Sequence, residues 1–233
     1  MLITGGARSG KSQLAEDMLA GRERVVYLAT GAVPTPDDPE WTARVATHQA
    51  RRPASWTTIE TWDAAAVLAT GPSAVLAASP SAARAAGPSA APAAGPPAAP
   101  AERSSTASGA GQPSAVRAAG ARVTGPDAAV LFDCVGTWLT AAMDGAGIWA
   151  AAEAGAVEDA DAALVRAVDG LVAAWAGTTA EVIAVTNEVG SGVVPATASG
   201  RRFRDELGWL NKRLAAAADE VWLCTAGIPL RIR

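Results

Sequence analysis

The chain has 233 residues, a net charge of −4 and a pI near 5.1, and arginine supplies nearly all of its basic charge. An acidic chain creates no global field that favours nucleic acid, so we expect no nucleic-acid partner. No apolar run reaches the length of a membrane span, and the first predicted strand begins at Met1. We therefore expect a cytoplasmic protein without a signal peptide or a membrane span.

The first predicted element is a short apolar strand that runs directly into a glycine-rich loop. The loop has the pattern G-x-x-x-x-G-K-S of a phosphate-binding P-loop, formed by Gly5, Gly6, Ala7, Arg8, Ser9, Gly10, Lys11 and Ser12. Its glycines allow successive backbone N–H groups to turn towards a phosphate. Lys11 supplies a charge for the β- and γ-phosphates, and the Ser12 hydroxyl is a ligand for Mg²⁺. Apolar residues at helical spacing follow, so the pattern predicts nucleotide binding.

The second strand is predicted over Val25–Ala29, a continuous apolar run typical of a buried parallel strand. It ends at Thr30, Gly31 and Ala32. In open α/β sheets the carboxyl ends of the strands bind ligands, so these residues are candidates for the nucleotide site.

A helix is predicted from about Glu40 to Arg51, ended by Pro53. It places Trp41, Val45 and His48 on one face, at i, i+4 and i+7. From this pattern alone His48 is more often a packed side chain than a functional one. A neutral imidazole is also a nucleophile near pH 7, so both interpretations stay open. A short strand that ends in Glu60 and a short helix over residues 63–70 follow.

The segment from Gly71 to Pro126 has a different composition. It repeats alanine, serine and glycine, with a proline every eight residues at Pro72, Pro80, Pro88 and Pro96. Proline interrupts alanine helices at that spacing, and the small side chains offer too little apolar area to offset chain entropy. We predict a disordered insertion within a single domain of residues 1–233.

Order is predicted to return with an apolar strand that ends in Asp133. An aspartate at this position beside a P-loop is typical of the Walker B acid that holds Mg²⁺ or its water; a helix cap is the alternative. Helices and strands then alternate, with helices near Val135–Met143, around Val157–Trp175 and around Phe203–Leu214, and strands over Val182–Thr186, Val221–Thr225 and Ile228–Ile232. The alternation predicts a three-layer α/β fold of the P-loop, RecA-like type with a mostly parallel central sheet.

A P-loop indicates nucleotide binding but leaves the chemistry open. A signalling GTPase would carry an N-K-x-D turn, whereas the nearest sequence, Asn211-Lys212-Arg213-Leu214, lacks the aspartate and falls inside a predicted helix. A small-molecule kinase fits the length of the chain.

Several motifs together resemble one family. They are GGARSGKS, YLAT, RVATHQARRPASW with Glu60 beyond it, LFDC, VTNEVGSGVVP, and RRFRDELGWLNKRLAAAADEVW with the tail AGIPLRI. The chain resembles the bifunctional adenosylcobinamide kinase/adenosylcobinamide-phosphate guanylyltransferases of cobalamin biosynthesis, over about residues 1–70 and 127–233. The resemblance implies phosphorylation of adenosylcobinamide, then transfer of GMP from GTP to its phosphate to give adenosylcobinamide-GDP.

The resemblance also implies roles for individual residues. His48 would be the guanylylated nucleophile, and the nucleotide would bind to residues 5–12, Thr30, Gly31, Ala32, Arg51, Arg52, Pro53, Ala54, Glu60 and Asp133. Ser12 and Asp133 would hold Mg²⁺, GTP and ATP would be substrates, adenosylcobinamide and its phosphate would be the acceptors, and the protein would be a homo-oligomer, a trimer.

Two alternatives remain from the residues. One is an ordinary small-molecule P-loop kinase without a covalent step, in which His48 only packs. The other is a non-catalytic nucleotide-binding module.

Overall fold

The computed structural model describes residues 1–78, 128–149 and 157–233, which all belong to one compact unit of the chain. In these described ranges no helix is long and apolar enough to cross a membrane.

Strands and helices alternate along most of the chain. The strands are β1 (Leu2–Gly5), β2 (Val25–Ala29), β3 (Thr57–Glu60), β4 (Ala129–Asp133), β5 (Glu181–Val185), β6 (Val221–Thr225) and β7 (Ile228–Arg231). The helices whose first and last residues are both described are α1 (Lys11–Met18), α2 (Pro39–Arg51), α3 (Ala64–Thr70), α4 (Pro72–Ala78), α5 (Val135–Gly145), α6 (Val157–Gly177) and α7 (Ala198–Ala217).

The strands form one seven-stranded sheet in the order β3-β2-β4-β5-β1-β6-β7. All neighbours are parallel except β6 and β7, which form an antiparallel pair at the edge. The predicted α/β fold with a mostly parallel sheet is confirmed. Strand β1, which feeds the P-loop, lies between β5 and β6 in the interior of the sheet.

Helices cover both faces of the sheet, because alternate strand residues point to opposite sides. On one face Val26, Leu28 and Phe132 pack with residues of α3, α5, α6 and α7. On the other face Tyr27 and Leu131 pack with residues of α1. The result is three layers around two hydrophobic cores.

The strand register determines which side chains share a face at the carboxyl edge. Ala29 is paired with Glu60 of β3 on one side and with Asp133 of β4 on the other. Directly paired residues of parallel strands point to the same face, so both carboxylates stand on the α1 face. The small Ala29 side chain lies between them, which leaves space above this row.

The first eight residues of the predicted insertion, 71–78, are not disordered. Residues predicted to be disordered from Gly71 onwards include α4, whose Val75 and Leu76 pack against the core. Pro72 is tolerated as the first helical residue, where its missing N–H costs nothing. The first repeat, GPSAVLAA, also has two aliphatic side chains that the next repeats lack. The rest of the predicted insertion, residues 79–126, lies outside the described residues.

A buried polar contact fixes the end of β5. The Thr186 hydroxyl donates to Asn211 Oδ1 at 2.6 Å, and Asn211 Nδ2 donates to the Asn187 carbonyl at 3.0 Å. Thr186 is fully buried and Asn211 nearly so. The residue that begins the N-K-R-L sequence is thus a structural residue inside α7, as its predicted helical position indicates.

We predict that Asn211→Ala lowers the free energy of unfolding by about 1–3 kcal/mol, because the Thr186 hydroxyl and the Asn187 carbonyl lose a buried partner. Urea denaturation measures the change. The neighbouring exposed Lys212 provides the control, and Lys212→Ala should change stability by less than about 0.5 kcal/mol. Equal stabilities of the two variants would contradict the structural role of Asn211.

Candidate functional site

The P-loop connects β1 to α1 at the carboxyl edge of the sheet. Gly5 has φ +154°, and a Cβ atom there would lie 2.3 Å from the Cys224 carbonyl oxygen, so only glycine fits. Gly10 is the N-cap of α1 with φ +94°, and no side chain caps the helix. The first N–H groups of α1 are therefore not capped by a protein side chain and face the loop, as an anion site requires.

Lys11 lies inside this loop. Its ammonium donates to the Gly6 carbonyl at 2.6 Å and lies 3.5 Å from the Ser9 hydroxyl. Burial lowers the pKa of Lys11 from its ordinary value of 10.5, and the neighbouring Cys134 and Asp133 oppose that shift. A polyphosphate in the loop would supply the negative charge that this buried cation needs.

Helix α2 lies across the α1 face of the sheet and begins with a regular cap. Asp38 accepts a hydrogen bond from the Trp41 backbone N–H at 2.9 Å. The Trp41 indole N–H donates to the Ala32 carbonyl at 2.8 Å. A Cβ at Gly31 would lie 2.5 Å from the Trp41 ring, so Gly31 allows this close approach. The indole thus fixes the amino-terminal end of α2 to the loop after β2.

No residue of α2 is fully buried. Trp41, Val45 and His48 form its half-buried face, at the predicted spacing. The His48 side chain is 20% exposed and lies beside charged groups rather than in either hydrophobic core. The structure therefore does not support the interpretation that His48 only packs.

Three charged groups lie close to the imidazole. His48 Nδ1 is 3.6 Å from Asp133 Oδ2 and 3.9 Å from Glu16 Oε1, and 3.4 Å from an Arg51 terminal nitrogen. Burial lowers the pKa of His48 below its ordinary 6.5; Asp133 and Glu16 oppose this, and Arg51 and Arg44 reinforce it. The ring is therefore predominantly neutral at pH 7, as a nucleophile must be.

Asp133 is held by a neighbouring strand. The Tyr27 hydroxyl donates to Asp133 Oδ2 at 2.7 Å. Burial, reinforced by the nearby Asp133 charge, raises the pKa of Tyr27 well above 10, so the phenol stays a donor. The Arg52 guanidinium stacks on the Tyr27 ring at 3.4 Å and donates to the Thr58 hydroxyl at 3.2 Å.

Two cavities adjoin His48. One, of about 180 Å³, has the carboxyl edge as its floor and α2 as its wall; its lining includes Tyr27, Ala29, Gly31, Ala32, Trp41, Arg44, His48, Arg52, Glu60, Asp133, Thr137 and Asn187. We call it the sheet-edge cavity. The other, of about 440 Å³, lies on the P-loop side of α2 and is lined by Arg8, Glu40, Ala43, Arg44, Thr47 and His48. We call it the loop-side cavity. Arg44 and His48 line both.

The structure brings six of the predicted site residues together at one cavity. The sheet-edge cavity collects Gly31, Ala32, His48, Arg52, Glu60 and Asp133. Apart from the P-loop, residues 5–12, four predicted nucleotide residues are not in its lining. Thr30 is buried, with its hydroxyl 2.8 Å from the Cys134 carbonyl and 3.0 Å from the Thr137 hydroxyl. Arg51 pairs with Glu16, and Pro53 and Ala54 are exposed beyond the end of α2.

The sequence interpretation missed several residues of the site. Glu16 and Tyr27 were assigned to a helix and a strand without a role, yet both contact the groups around His48. Arg44 and Thr137 line the sheet-edge cavity as well. One pattern in the sequence could have indicated a role for Tyr27. The odd-numbered residues of β2, which include Tyr27, lie on the same face of the sheet as Asp133.

The sequence profile of the family described as cobinamide kinase / cobinamide phosphate guanyltransferase matches residues 1–77 and 101–232. The chain belongs to this family. The bifunctional adenosylcobalamin biosynthesis protein CobU of Salmonella typhimurium is 33% identical over 237 residues, which covers 100% of this chain and 99% of that protein. The protein of the same description from Escherichia coli is 30% identical, with coverage of 100% and 99%. The bifunctional adenosylcobalamin biosynthesis protein CobP of Pseudomonas aeruginosa is 29% identical, with coverage of 100% and 96%.

Membership confirms the resemblance that the motifs indicate. The chain is an enzyme, a bifunctional transferase of the cobinamide kinase and cobinamide phosphate guanyltransferase type. The profile leaves residues 78–100 unmatched, within the segment of repeated alanine and proline.

We predict that the pKa of His48 in the folded protein lies below its value in the denatured chain, because burial disfavours the imidazolium. The chain has a single histidine, so an NMR pH titration of untagged protein reads His48 without assignment. The same titration in denaturant provides the reference. The histidine contribution should therefore destabilise the fold progressively as the pH falls below the denatured-state value. A folded midpoint at or above the reference would show that the acidic neighbours dominate.

Proposed function

We propose that this chain phosphorylates the hydroxyl of cobinamide and then transfers GMP from GTP to cobinamide phosphate through a guanylyl-His48 intermediate. Membership of the family supports the two activities. The observation that supports the covalent step is the position of His48, which lines both the sheet-edge cavity and the loop-side cavity.

The boundary position fits the α-phosphate of a nucleotide. The P-loop, residues 5–12, would bind the β- and γ-phosphates through its backbone N–H groups and Lys11. The nucleoside would occupy the sheet-edge cavity, where the Glu60 carboxylate can accept hydrogen bonds from the guanine edge or the ribose. The α-phosphorus lies between those two parts of GTP, and His48 lies between the two corresponding parts of the site. Thr30, Gly31, Ala32, Arg52, Pro53, Ala54 and Asp133 complete the proposed nucleotide set, whereas the Arg51 guanidinium is paired with Glu16.

The first step is nucleophilic attack by the imidazole. Attack by Nε2 requires the tautomer with its proton on Nδ1, which lies near Asp133 and Glu16; the Arg51 nitrogen beside Nδ1 can only donate, and in this tautomer it donates to Glu16 alone. The Nε2–P bond forms, the bond from the α-phosphorus to the bridging oxygen breaks, and pyrophosphate leaves. The imidazole becomes cationic during this step, and the Asp133 carboxylate, 3.6 Å from Nδ1, stabilises that charge as the aspartate of a catalytic triad does.

The second step returns His48 to its starting state. A phosphate oxygen of cobinamide phosphate attacks the same phosphorus, and the P–N bond breaks. The product is cobinamide-GDP, and the imidazole regains its neutral form. The kinase reaction needs no covalent intermediate: the acceptor hydroxyl attacks the γ-phosphorus of a triphosphate held in the P-loop, the nucleoside diphosphate leaves, and the hydroxyl proton passes to solvent.

The residues present fit a magnesium ion bound with the nucleotide. Ser12 is half-buried in the first turn of α1, and the Asp133 carboxylate lines the sheet-edge cavity. Among the described residues no group of three His, Cys, Asp or Glu side chains could hold a metal ion. Mg²⁺ is usually bound by one or two protein oxygens together with substrate phosphates and water, so Ser12 and Asp133 suffice. When bound, the ion would neutralise charge on the phosphate oxygens.

We predict that GTP labelled at the α-phosphate gives an acid-labile, alkali-stable label on the protein. His48→Ala should lose this label and keep γ-phosphate transfer to cobinamide, because only guanylyl transfer needs the imidazole. Lys11→Ala should lose both reactions, and Lys212→Ala, which changes the only other lysine, should keep both. Label on His48→Ala, or none on the unaltered protein, would overturn the covalent step; an ordinary kinase gives the second result.

We also propose that the chain forms a homo-oligomer, a trimer as the family resemblance implies. Ile228, Leu230 and Ile232 are more than half exposed, and the first two lie at alternate positions of the edge strand β7. An exposed apolar row on an edge strand is a site for association. Light scattering during size exclusion should give three times the chain mass of 23.3 kDa, and Leu230→Lys should lower it. A monomeric mass for the unaltered protein would overturn this proposal.

A further inference from the structure

Helix α2 is attached to the rest of the enzyme mainly by polar contacts. None of its residues is fully buried, and Trp41 and Val45 are only half covered. Near its amino terminus Glu40 lies 3.7 Å from Arg8 of the P-loop. Both side chains are almost fully exposed, so this ion pair contributes little to the attachment of α2. The Trp41 indole fixes the amino-terminal end of the helix to the Ala32 carbonyl, so the end that carries His48 depends on contacts of its own.

The strongest of these contacts joins α2 to α1. Arg51 Nε donates to Glu16 Oε2 at 2.8 Å, and its terminal nitrogen donates to Glu16 Oε1 at 3.1 Å. The Glu16 side chain is 7% exposed and that of Arg51 34%. Two parallel hydrogen bonds between a guanidinium and a carboxylate set orientation as well as distance. A buried ion pair stabilises a fold no better than well-packed apolar residues, so its distinctive contribution is this geometry.

The same pair contacts the imidazole. Glu16 Oε1 is 3.9 Å from His48 Nδ1, and the Arg51 nitrogen bonded to that oxygen is 3.4 Å from the same atom. Arg51 lies one turn after His48 on α2, and Glu16 lies on α1, which begins at Lys11. One ion pair thus links the helix that begins at the phosphate loop to the helix that carries the nucleophile.

We propose that Glu16 is a positioning residue for guanylyl transfer: its fork with Arg51 holds α2 on α1 so that the imidazole of His48 meets the α-phosphorus of a nucleotide in the P-loop. This inference rests on the proposed guanylyl-His48 step. Arg51 then acts through Glu16 rather than by contact with the nucleotide. Phosphoryl transfer at the γ-phosphate does not use His48, so it does not depend on the fork.

Replacement of Glu16 by glutamine tests the geometry with little change in volume. The amide can accept from one Arg51 nitrogen, but the second hydrogen bond and the charge are lost. Arg51 is then free to turn towards His48 Nδ1, and α2 loses its fixed distance from α1. A displacement of about 1 Å at a reacting group costs on the order of 100-fold in rate.

The experiment measures two rates on each protein. Single-turnover labelling from α-phosphate-labelled GTP gives guanylylation, and transfer of labelled γ-phosphate to cobinamide gives the kinase rate. For Glu16→Gln we expect guanylylation to fall by about 10- to 100-fold, with an unchanged dependence on GTP concentration and an unchanged kinase rate. Asp169→Asn is the matched control, since it removes a carboxylate that pairs with Arg213 at 2.7 Å between α6 and α7; both of its rates should stay unchanged.

A double-mutant cycle tests whether Glu16 and Arg51 act together through the fork or affect the guanylylation rate independently. If Glu16 and Arg51 act as one unit, Glu16→Gln/Arg51→Gln should label at about the rate of the slower single variant. If the fold-loss of labelling rate in the double variant equals the product of the two single fold-losses, the proposal is overturned. Should Glu16→Gln not fold, Arg51→Lys provides the test, because it keeps the charge without the fork; the ratio of guanylylation to kinase rate should again fall.

The remaining outcomes are also decisive. Equal losses of both activities in Glu16→Gln would show a general structural role, and a change confined to the GTP dependence would place Glu16 in nucleotide binding; either overturns the proposal. Wild-type guanylylation by Glu16→Gln and Arg51→Lys overturns it as well. Absence of His48-dependent label on the unaltered protein would instead overturn the proposed function, and this inference with it.

Discussion

The helix that carries His48 has no fully buried side chain, and the rest of the site depends on how that helix is held. A helix that buries an apolar face is fixed by packing over its whole length. Helix α2 is fixed instead at a few points, by the Trp41 indole at one end and by Arg51 and Arg52 at the other. Such an arrangement places His48, the proposed nucleophile, with little buried area, and it makes single polar contacts important for the position of its imidazole.

The sheet supplies the fixed partner of this helix. Its parallel register puts Glu60, Ala29 and Asp133 in one row at the carboxyl edge, and only β5 separates this row from β1, the strand that carries the P-loop. An aspartate, a tyrosine and an arginine then form a connected set, in which Tyr27 bonds to Asp133 and Arg52 covers Tyr27. Asp133, the acidic group nearest the imidazole, is thus fixed by a central strand and by Tyr27. His48, in contrast, lies on a helix that has no fully buried residue.

Much of this could be predicted from the sequence. The apolar runs predict the strands, the glycine pattern predicts the loop, and the spacing of Trp41, Val45 and His48 predicts the face of α2 that turns inwards. These patterns involve residues close together in the sequence. They predict the structure correctly because the tertiary contacts favour the same elements. The carboxylates at the ends of β3 and β4 are predictable for the same reason: a parallel sheet brings successive strand ends to one edge.

Other features depend on contacts between distant parts of the chain and have no local signal. Glu16 looks like an ordinary polar position of an amphipathic helix, and only the approach of Arg51, 35 residues later, explains its burial. Thr30 lies at the carboxyl edge of the sheet, where the sequence predicts ligand binding, but its hydroxyl donates to the Cys134 carbonyl at the end of the neighbouring strand. Helix α4 was missed because the composition of the whole repeat region concealed two aliphatic residues in its first unit.

The two elements that border the alanine- and proline-rich stretch, α4 and β4, both contact the residue that precedes β2. Arg24, just before β2, accepts a backbone hydrogen bond from Ala129 at the start of β4 and lies 3.5 Å from Ser73 near the start of α4. The elements that flank the alanine- and proline-rich stretch therefore begin at the amino ends of the strands, opposite the row of carboxylates. Through its backbone and its side chain, Arg24 thus ties the start of α4 and the start of β4 to one end of β2, at the opposite edge of the sheet from Glu60 and Asp133.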